Sequence, residues 1–175
     1  MGGFISLDDA KLHARIDHDD EDAAIGRLIA AAAREIEIVS GFVAPVRDEE
    51  SFVFDRFARE LRLPLRPIDV ETIAIEYLDA AGDAQTFTNF RAFERNDFTR
   101  IVPAIGFCWP STACTPACVT VTAKVGFADA HADIPAELQH ASRLCVTAWL
   151  QDREGAEEPP PGFYSLLRAE KPRRI

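Results

Sequence analysis

The sequence predicts an α+β fold: a helical bundle, formed by an N-terminal helix pair and a C-terminal helix, with an inserted antiparallel β block and an extended C-terminal tail. Three observations predict it. Apolar residues recur at helical spacing over 25–39 and again over 138–149. Between these stretches the chain switches to the alternating period of strands, punctuated by Pro and Gly. After them, Pro159, Pro160 and Pro161 set off a short apolar run and a basic end.

The first helix is expected over 6–15, with Ser6 as N-cap and Asp9 in an acidic first turn. The second is expected over 19–41. Carboxylates of the run Asp17 to Asp22 lie at its positive end, and Gly41 tolerates the left-handed conformation that ends a helix. Ile25, Leu28, Ile29, Ala32, Ile36 and Val39 form its apolar stripe. Ala23, Ala24, Gly26, Ala30, Ala31 and Ala33 cover much of the rest, so another helix can approach closely, from this chain or from another subunit.

The β block spans 42–126. Residues 51–57 and 60–63 alternate as strands, and Pro64 and Pro67 break the ladder. Residues 70–78 and 85–88 flank Ala81, Gly82 and Asp83, a hairpin signal. Two short strands follow at 89–94 and 98–102. Residues 108–116 carry Pro110, Ser111 and Pro116 and read as loop. Residues 117–125 alternate most clearly, and Gly126 ends them. The last helix is expected over 134–153, with Asp133 as N-cap and Leu138, Ala141, Cys145, Ala148 and Trp149 on its buried face. Residues 1–155 thus read as one domain, and 156–175 as a Pro-rich linker and tail.

Composition narrows the function. A chain of 175 residues with 47% hydrophobic and 27% charged residues can bury a core, and no run approaches the ~20 apolar residues of a membrane helix. The first residues carry neither a basic region nor a hydrophobic segment, so no secretory signal is read. Gly2 with Ser6 formally matches a myristoylation pattern, which the capping role of Ser6 explains equally. A net charge of −10 argues against a sequence-reading DNA binder, yet a surface that repels phosphates suits a passage for sliding DNA.

No residue set points to chemistry. Cys108, Cys114, Cys118 and Cys145 match no zinc spacing and read as free thiols. His13, His18, His131 and His140 form no metal-binding pair. The acidic elbow Asp17, Asp19, Asp20, Glu21, Asp22 lacks the glycine that a calcium loop needs at its sixth position, where Asp22 stands, and capping explains its carboxylates. No nucleophile elbow or phosphate-cradling loop is present, and no Ser or Cys has an obvious base partner. The reading is therefore of a protein without catalytic residues, metal or cofactor.

The tail carries the one binding signal. Phe163, Tyr164, Leu166 and Leu167 form an apolar anchor at helical spacing, and Arg168, Lys171, Arg173 and Arg174 make the end basic on an acidic chain. Two readings stand: the segment folds back on its own domain, or it is an arm that docks into a partner's groove, steered by its charge.

The residues also carry a family resemblance. The run Ile5-Ser-Leu-Asp-Asp-Ala-Lys-Leu-His-Ala-Arg-Ile-Asp-His-Asp-Asp-Glu-Asp-Ala-Ala-Ile25 is similar to the start of the head–tail connector (head-completion or adaptor) family of tailed bacteriophages. Further blocks agree in order: Leu63 to Ile68 leading into the hairpin 70–88, Val119 to Gly126, Ile134 to Ala141, and Trp149 to Glu154. The loop 106–117 and the basic tail depart from the plainer family pattern.

The resemblance implies a ring, usually twelvefold, beneath the portal protein in the neck of a phage or gene-transfer-agent-like particle, assembled in the bacterial cytoplasm. Such a ring extends the DNA channel and carries the stopper or tail, with DNA as a non-specific passing polymer and no membrane partner. The C-terminal segment, with Phe163 to Arg174, is then the portal-docking arm. Ile25, Leu28, Ile29, Ala32, Ile36, Leu138, Cys145 and Trp149 are expected at helix packing or subunit contacts. The rival readings are a small cytosolic enzyme, which needs a pocket with convergent perturbed groups, and a monomeric regulator.

Overall fold

The computed structural model describes residues 3–95, 98–127, 133–151 and 158–169. It divides into a helical unit, residues 1–46 with 126–175, and a β unit, residues 47–125.

The helical unit contains α1 (Leu7–Ala14), α2 (Asp22–Ser40), α3 (Ala136–Gln151) and α4 (Pro161–Ala169). Ser6 caps α1, its hydroxyl accepting from the Asp9 N–H at 3.1 Å, and Arg15 closes the helix in the left-handed region. The start of α2 differs from the expectation. Glu21 occupies the N-cap without a side-chain cap hydrogen bond. The elbow carboxylates Asp19 and Asp22 instead accept from Lys11 Nζ, at 2.5 and 2.7 Å, and so tie α1 to the elbow and to the first turn of α2. An ammonium within reach gives a carboxylate a stronger partner than a backbone N–H already half-satisfied by its own turn. Gly41 ends α2 at φ 78, donating to Glu37 O. α3 begins behind Pro135, whose carbonyl accepts from Leu138 and Gln139. Asp9 then receives Arg143 from α3 through both carboxylate oxygens, at 3.1 and 2.9 Å from Nε.

These helices enclose one core. Phe4, Ile5, Ile25, Ile29, Ala32, Ile36, Leu138, Ala141, Cys145, Phe163 and Leu167 are all buried in it. Phe127 packs edge-on against Phe4 and beside Phe42. The tail expectation needs correction here. The described part of the segment is helical, not extended, and its Phe163 and Leu167 are fully buried in the helical unit's own core. An amphipathic turn that can cover apolar surface of its own chain gains more than one left in water, by about 1.5–3 kcal/mol for each large side chain.

The β unit holds β1 (Arg47–Phe54), β2 (Leu61–Leu63), β3 (Ile68–Leu78), β4 (Ala84–Thr86), β5 (Phe90–Glu94), β6 (Thr99–Pro103) and β7 (Val119–Val125). The expected single block is two antiparallel sheets, ordered β1-β7-β3-β4 and β2-β6-β5. β7 lies between β1 and β3, with Val121 opposite both Phe52 and Ile75. Val119, Val121, Ala123 and Val125 are buried and alternate with Thr120, Thr122 and Lys124, as a half-covered strand requires. At the β3–β4 turn the Asp79 carboxylate accepts from the Ala81 and Asp83 N–H groups at 2.9 and 3.1 Å, which holds it below the usual carboxylate range.

The insertion leaves and rejoins the helical unit at one place. Phe127 N donates to Val43 O at 3.1 Å. Gly126, at φ +103, lies so close that a Cβ there would sit 3.0 Å from Pro45 O and from Val46 Cα. No side chain fits that position without displacing backbone.

Candidate interaction surfaces

The expected contact residues separate into two sets once burial is known. Ile25, Ile29, Ala32, Ile36, Leu138 and Cys145 are buried in the core of their own unit. Burial also pushes the Cys145 thiol up to about 12, with Glu35 adding to the effect, so it is an inert packing group. Leu28 and Trp149 are only partly buried. With Glu21, Ala24, Arg27 and Leu150 they line a mostly apolar groove of about 320 Å³ between α2 and the end of α3. The helical period of α2 identifies its apolar stripe, but period alone does not say which members reach the surface.

The outer face of α2 carries Ala23, Arg27, Ala30, Ala31, Arg34 and Ile38, all exposed. Ile38 is 65% accessible, and Arg34 pairs with Glu37 at 2.6 Å. On a chain of net charge −10 this face is small and basic. α1 is mixed in charge: Leu12 is 78% exposed, with exposed Asp8 one turn before it, exposed His13 and Arg15 beside and after it, and exposed Asp17 and Asp20 in the elbow.

In the tail, Tyr164 is exposed and Leu166 partly buried, while Phe163 and Leu167 face inward. The side chain of Arg168, and Lys171, Arg173 and Arg174 entirely, lie outside the described residues.

Sequence reasoning missed one surface in the β unit. The turn at Ala104–Phe107, closed by Phe107 N on Ala104 O, presents Ile105 at 86% and Phe107 at 51% exposure. The loop behind it is fastened by Trp109, stacked on Phe57 at 4.5 Å and tilted against Phe87 at 5.1 Å, and by Ala113 N on Leu78 O. The prolines marked this segment as loop. That distant aromatics would pin it was not visible, because Phe57, Phe87 and Trp109 are far apart in sequence.

Cys108 and Cys114 are exposed, Cys118 and Cys145 buried, and all four are free. Among the described residues no group of three His, Cys, Asp or Glu could hold a metal ion, and no helix is long and apolar enough to cross a membrane.

Residues 4–59 match the family model of the phage gp6-like head-tail connector protein. The match covers α1, α2 and β1, including the elbow, the α2 groove residues and Leu12. Among solved structures the fold is that of a chain in the virion of a native gene transfer agent particle, with a TM-score of 0.77 at 22% identity, covering 98% of this chain and 91% of that one. A chain in the neck of an empty gene transfer agent particle computed with C6 symmetry gives 0.73 at 22% identity, over the same shares of the two chains. One in the neck of a native particle computed with C12 symmetry gives 0.72 at 24% identity, over 94% of this chain and 89% of that one. No protein of curated function matches the sequence.

Proposed function

We propose that this protein is a non-enzymatic head–tail connector: a homo-oligomeric ring, twelvefold, below the portal in the neck of a phage-like or gene-transfer-agent-like particle. The ring extends the DNA channel and carries the stopper or tail. The observation that carries the reading is the agreement of two independent likenesses. The N-terminal third matches a connector family in sequence, and nearly the whole chain shares its fold with chains of gene transfer agent necks and virions.

The chemistry of the chain fits this role. The acidic balance keeps passing DNA from sticking, since a channel that neutralised phosphates would bind them. A ring needs a head-to-tail contact, in which each subunit presents two different patches. The portal contact falls to the end of the chain, on Tyr164 and the basic residues Arg168, Lys171, Arg173 and Arg174, because Phe163 and Leu167 serve the core.

Removing residues 168–175 separates docking from folding, since the cut lies after Leu167. The truncated protein is expected to keep its helical signal and melting temperature and to lose co-sedimentation with the portal protein. Full attachment after truncation refutes the docking assignment. A low-resolution image of the particle neck tests the ring itself: no density for this chain there would falsify the connector reading, leaving a monomeric regulator or an enzyme.

A further inference from the structure

We propose that the outer face of the three-stranded sheet β2-β6-β5 is a contact site for duplex DNA, holding its phosphates through Arg62, Arg91, Arg95 and Arg100 without reading sequence. This rests on the reading that DNA passes this protein, and it names the surface of the β unit that meets it.

The register sets these side chains on one face. Leu61, Leu63, Thr99 and Ile101 are buried beneath the sheet, so the residues that alternate with them point outward. Arg62 lies opposite Arg100, and Arg100 opposite Phe93, which makes one row across the three strands. On β5, exposed Arg91 and Phe93 alternate with partly buried Phe90 and Ala92. Arg95 follows on their side, its N–H donating to Phe98 O at 2.9 Å. Two guanidiniums lie over rings of this face: Arg62 stands 4.8 Å from the Phe98 centroid, and Arg91 4.9 Å from that of Phe93. Among the described residues Glu60 is the one carboxylate here, paired with Arg62 and Arg100 at 2.5 Å each. Glu94, opposite buried Thr99, belongs to the other side of the sheet. Four arginines against one glutamate leave a charge of +3 where the whole chain carries −10.

Residue type and extent select the ligand. The cations are all arginines, whose planar forks pair with phosphate or carboxylate through two bonds at once. Contact with Phe98 and Phe93 holds two of the forks before any ligand arrives, so less freedom is lost on binding. A stable protein interface takes about 20–30 residues on each side. This face spans strands of three, five and five residues, which is too little for one. A duplex needs only a few contacts, because its backbone carries about one charge per 1.7 Å of axis. The rings offer no open platform for stacked bases, since Phe93 is 39% exposed under Arg91 and Phe98 lies partly buried under Arg62, and this favours the backbone. The acidic balance of the rest of the chain repels DNA. The contact is therefore confined to this face and readily broken by salt, as a sliding polymer requires.

The test is fluorescence anisotropy of a short labelled duplex of mixed sequence with the full-length protein. Three or four phosphate contacts give a slope of log affinity against log salt of about −3, a loss of roughly 60-fold between about 50 and 200 mM salt. Arg91→Gln with Arg95→Gln is expected to weaken binding roughly tenfold or more and to reduce that slope by about 2. Circular dichroism should not change, because both side chains are exposed. Glu60→Gln is expected to strengthen binding, since it frees Arg62 and Arg100 for phosphate. As a control, Arg27→Gln with Arg34→Gln removes two exposed arginines from α2 and should leave the affinity within about twofold.

A wild type that does not bind the duplex at about 50 mM salt overturns the site. An equal loss in the α2 control overturns it also, since binding then belongs to scattered charge. Weaker binding by a folded Glu60→Gln variant does the same. If Arg91→Gln with Arg95→Gln leaves DNA binding intact and instead lowers association with a second copy or with the portal protein, the face holds an acidic protein and the proposal fails. Each of these failures leaves the ring reading standing, because the image of the particle neck tests that separately.

Discussion

The helical unit and the β unit distribute their apolar residues differently. In the helical unit nearly every large apolar side chain joins one core that runs from Phe4 to Leu167, so residues distant in sequence share one interior. In the β unit the strands are half-polar, β1 and β3 leave most of their side chains in solvent or partly so, and aromatic packing is concentrated where Phe57, Tyr77, Phe87 and Trp109 meet. A helix buries a stripe against several neighbours. A sheet with one covered face can bury only alternate residues, and needs a separate cluster to hold its loops.

The strongest way to break that comparison is at Phe163. Its truncation to Ala is expected to cost about 3–5 kcal/mol, as for other fully buried aromatics, and to lower amide protection in α2 and α3 while sparing β3 and β7. Equal loss of protection in both units, measured by hydrogen exchange, would mean that they unfold as one block. If Phe163→Ala proved neutral, the fold-back of α4 would be wrong.

Trp109→Ala is the matching cut in the β unit. Trp109 is only partly buried, so the expected loss is smaller, about 2 kcal/mol, and local to the 104–118 loop and the β3–β4 turn. Retained exchange protection at Ala113 N, which donates to Leu78 O, would show that the stack does not fasten the loop.

The smallest expected effect is in the Lys11 clamp, and it sharpens the comparison by its pH dependence. The Lys11 hydrogen bond holds the Asp19 carboxyl below its ordinary value of 3.8, so the stability it adds is present above that value and lost as pH falls through the lower folded one. Lys11 is raised above 10.5 by Asp19 and then Asp22, so its share is complete below 10.5 and lost as pH rises through the raised value. The melting difference between wild type and Lys11→Met should therefore be flat between these limits and shrink beyond each. A difference that drifts across neutral pH would assign the effect to something other than this clamp.

Much of the helical unit was legible because its signals are local. Ser6 and Gly41 act as the caps they resemble, and the stripes of α2 and α3 are the buried faces. The strands were legible as strands, but their pairing was not: β7 joins β1 and β3 across long stretches of chain, and no local pattern encodes which edges meet. The elbow was legible only in part: Asp22 does lie in the first turn of α2, but Asp19 and Asp22 also answer to Lys11, eight and eleven residues away, which no local pattern announces. For the interaction surfaces, periodicity picked out Leu28 and Trp149 together with six core neighbours and could not separate them.

The junction at Gly126 has a consequence for how this chain tolerates change. Because Phe127 is bonded to Val43 and Gly126 is wedged against Pro45 and Val46, residues 47–125 behave toward the helices as a loop already tied at its base. Lengthening such a loop costs little, since closure entropy grows only logarithmically and each doubling adds about 0.6 kcal/mol. The helical unit can thus keep its own core while the strands and the Ile105 turn vary in length. The one residue that this freedom does not extend to is the glycine in the knot.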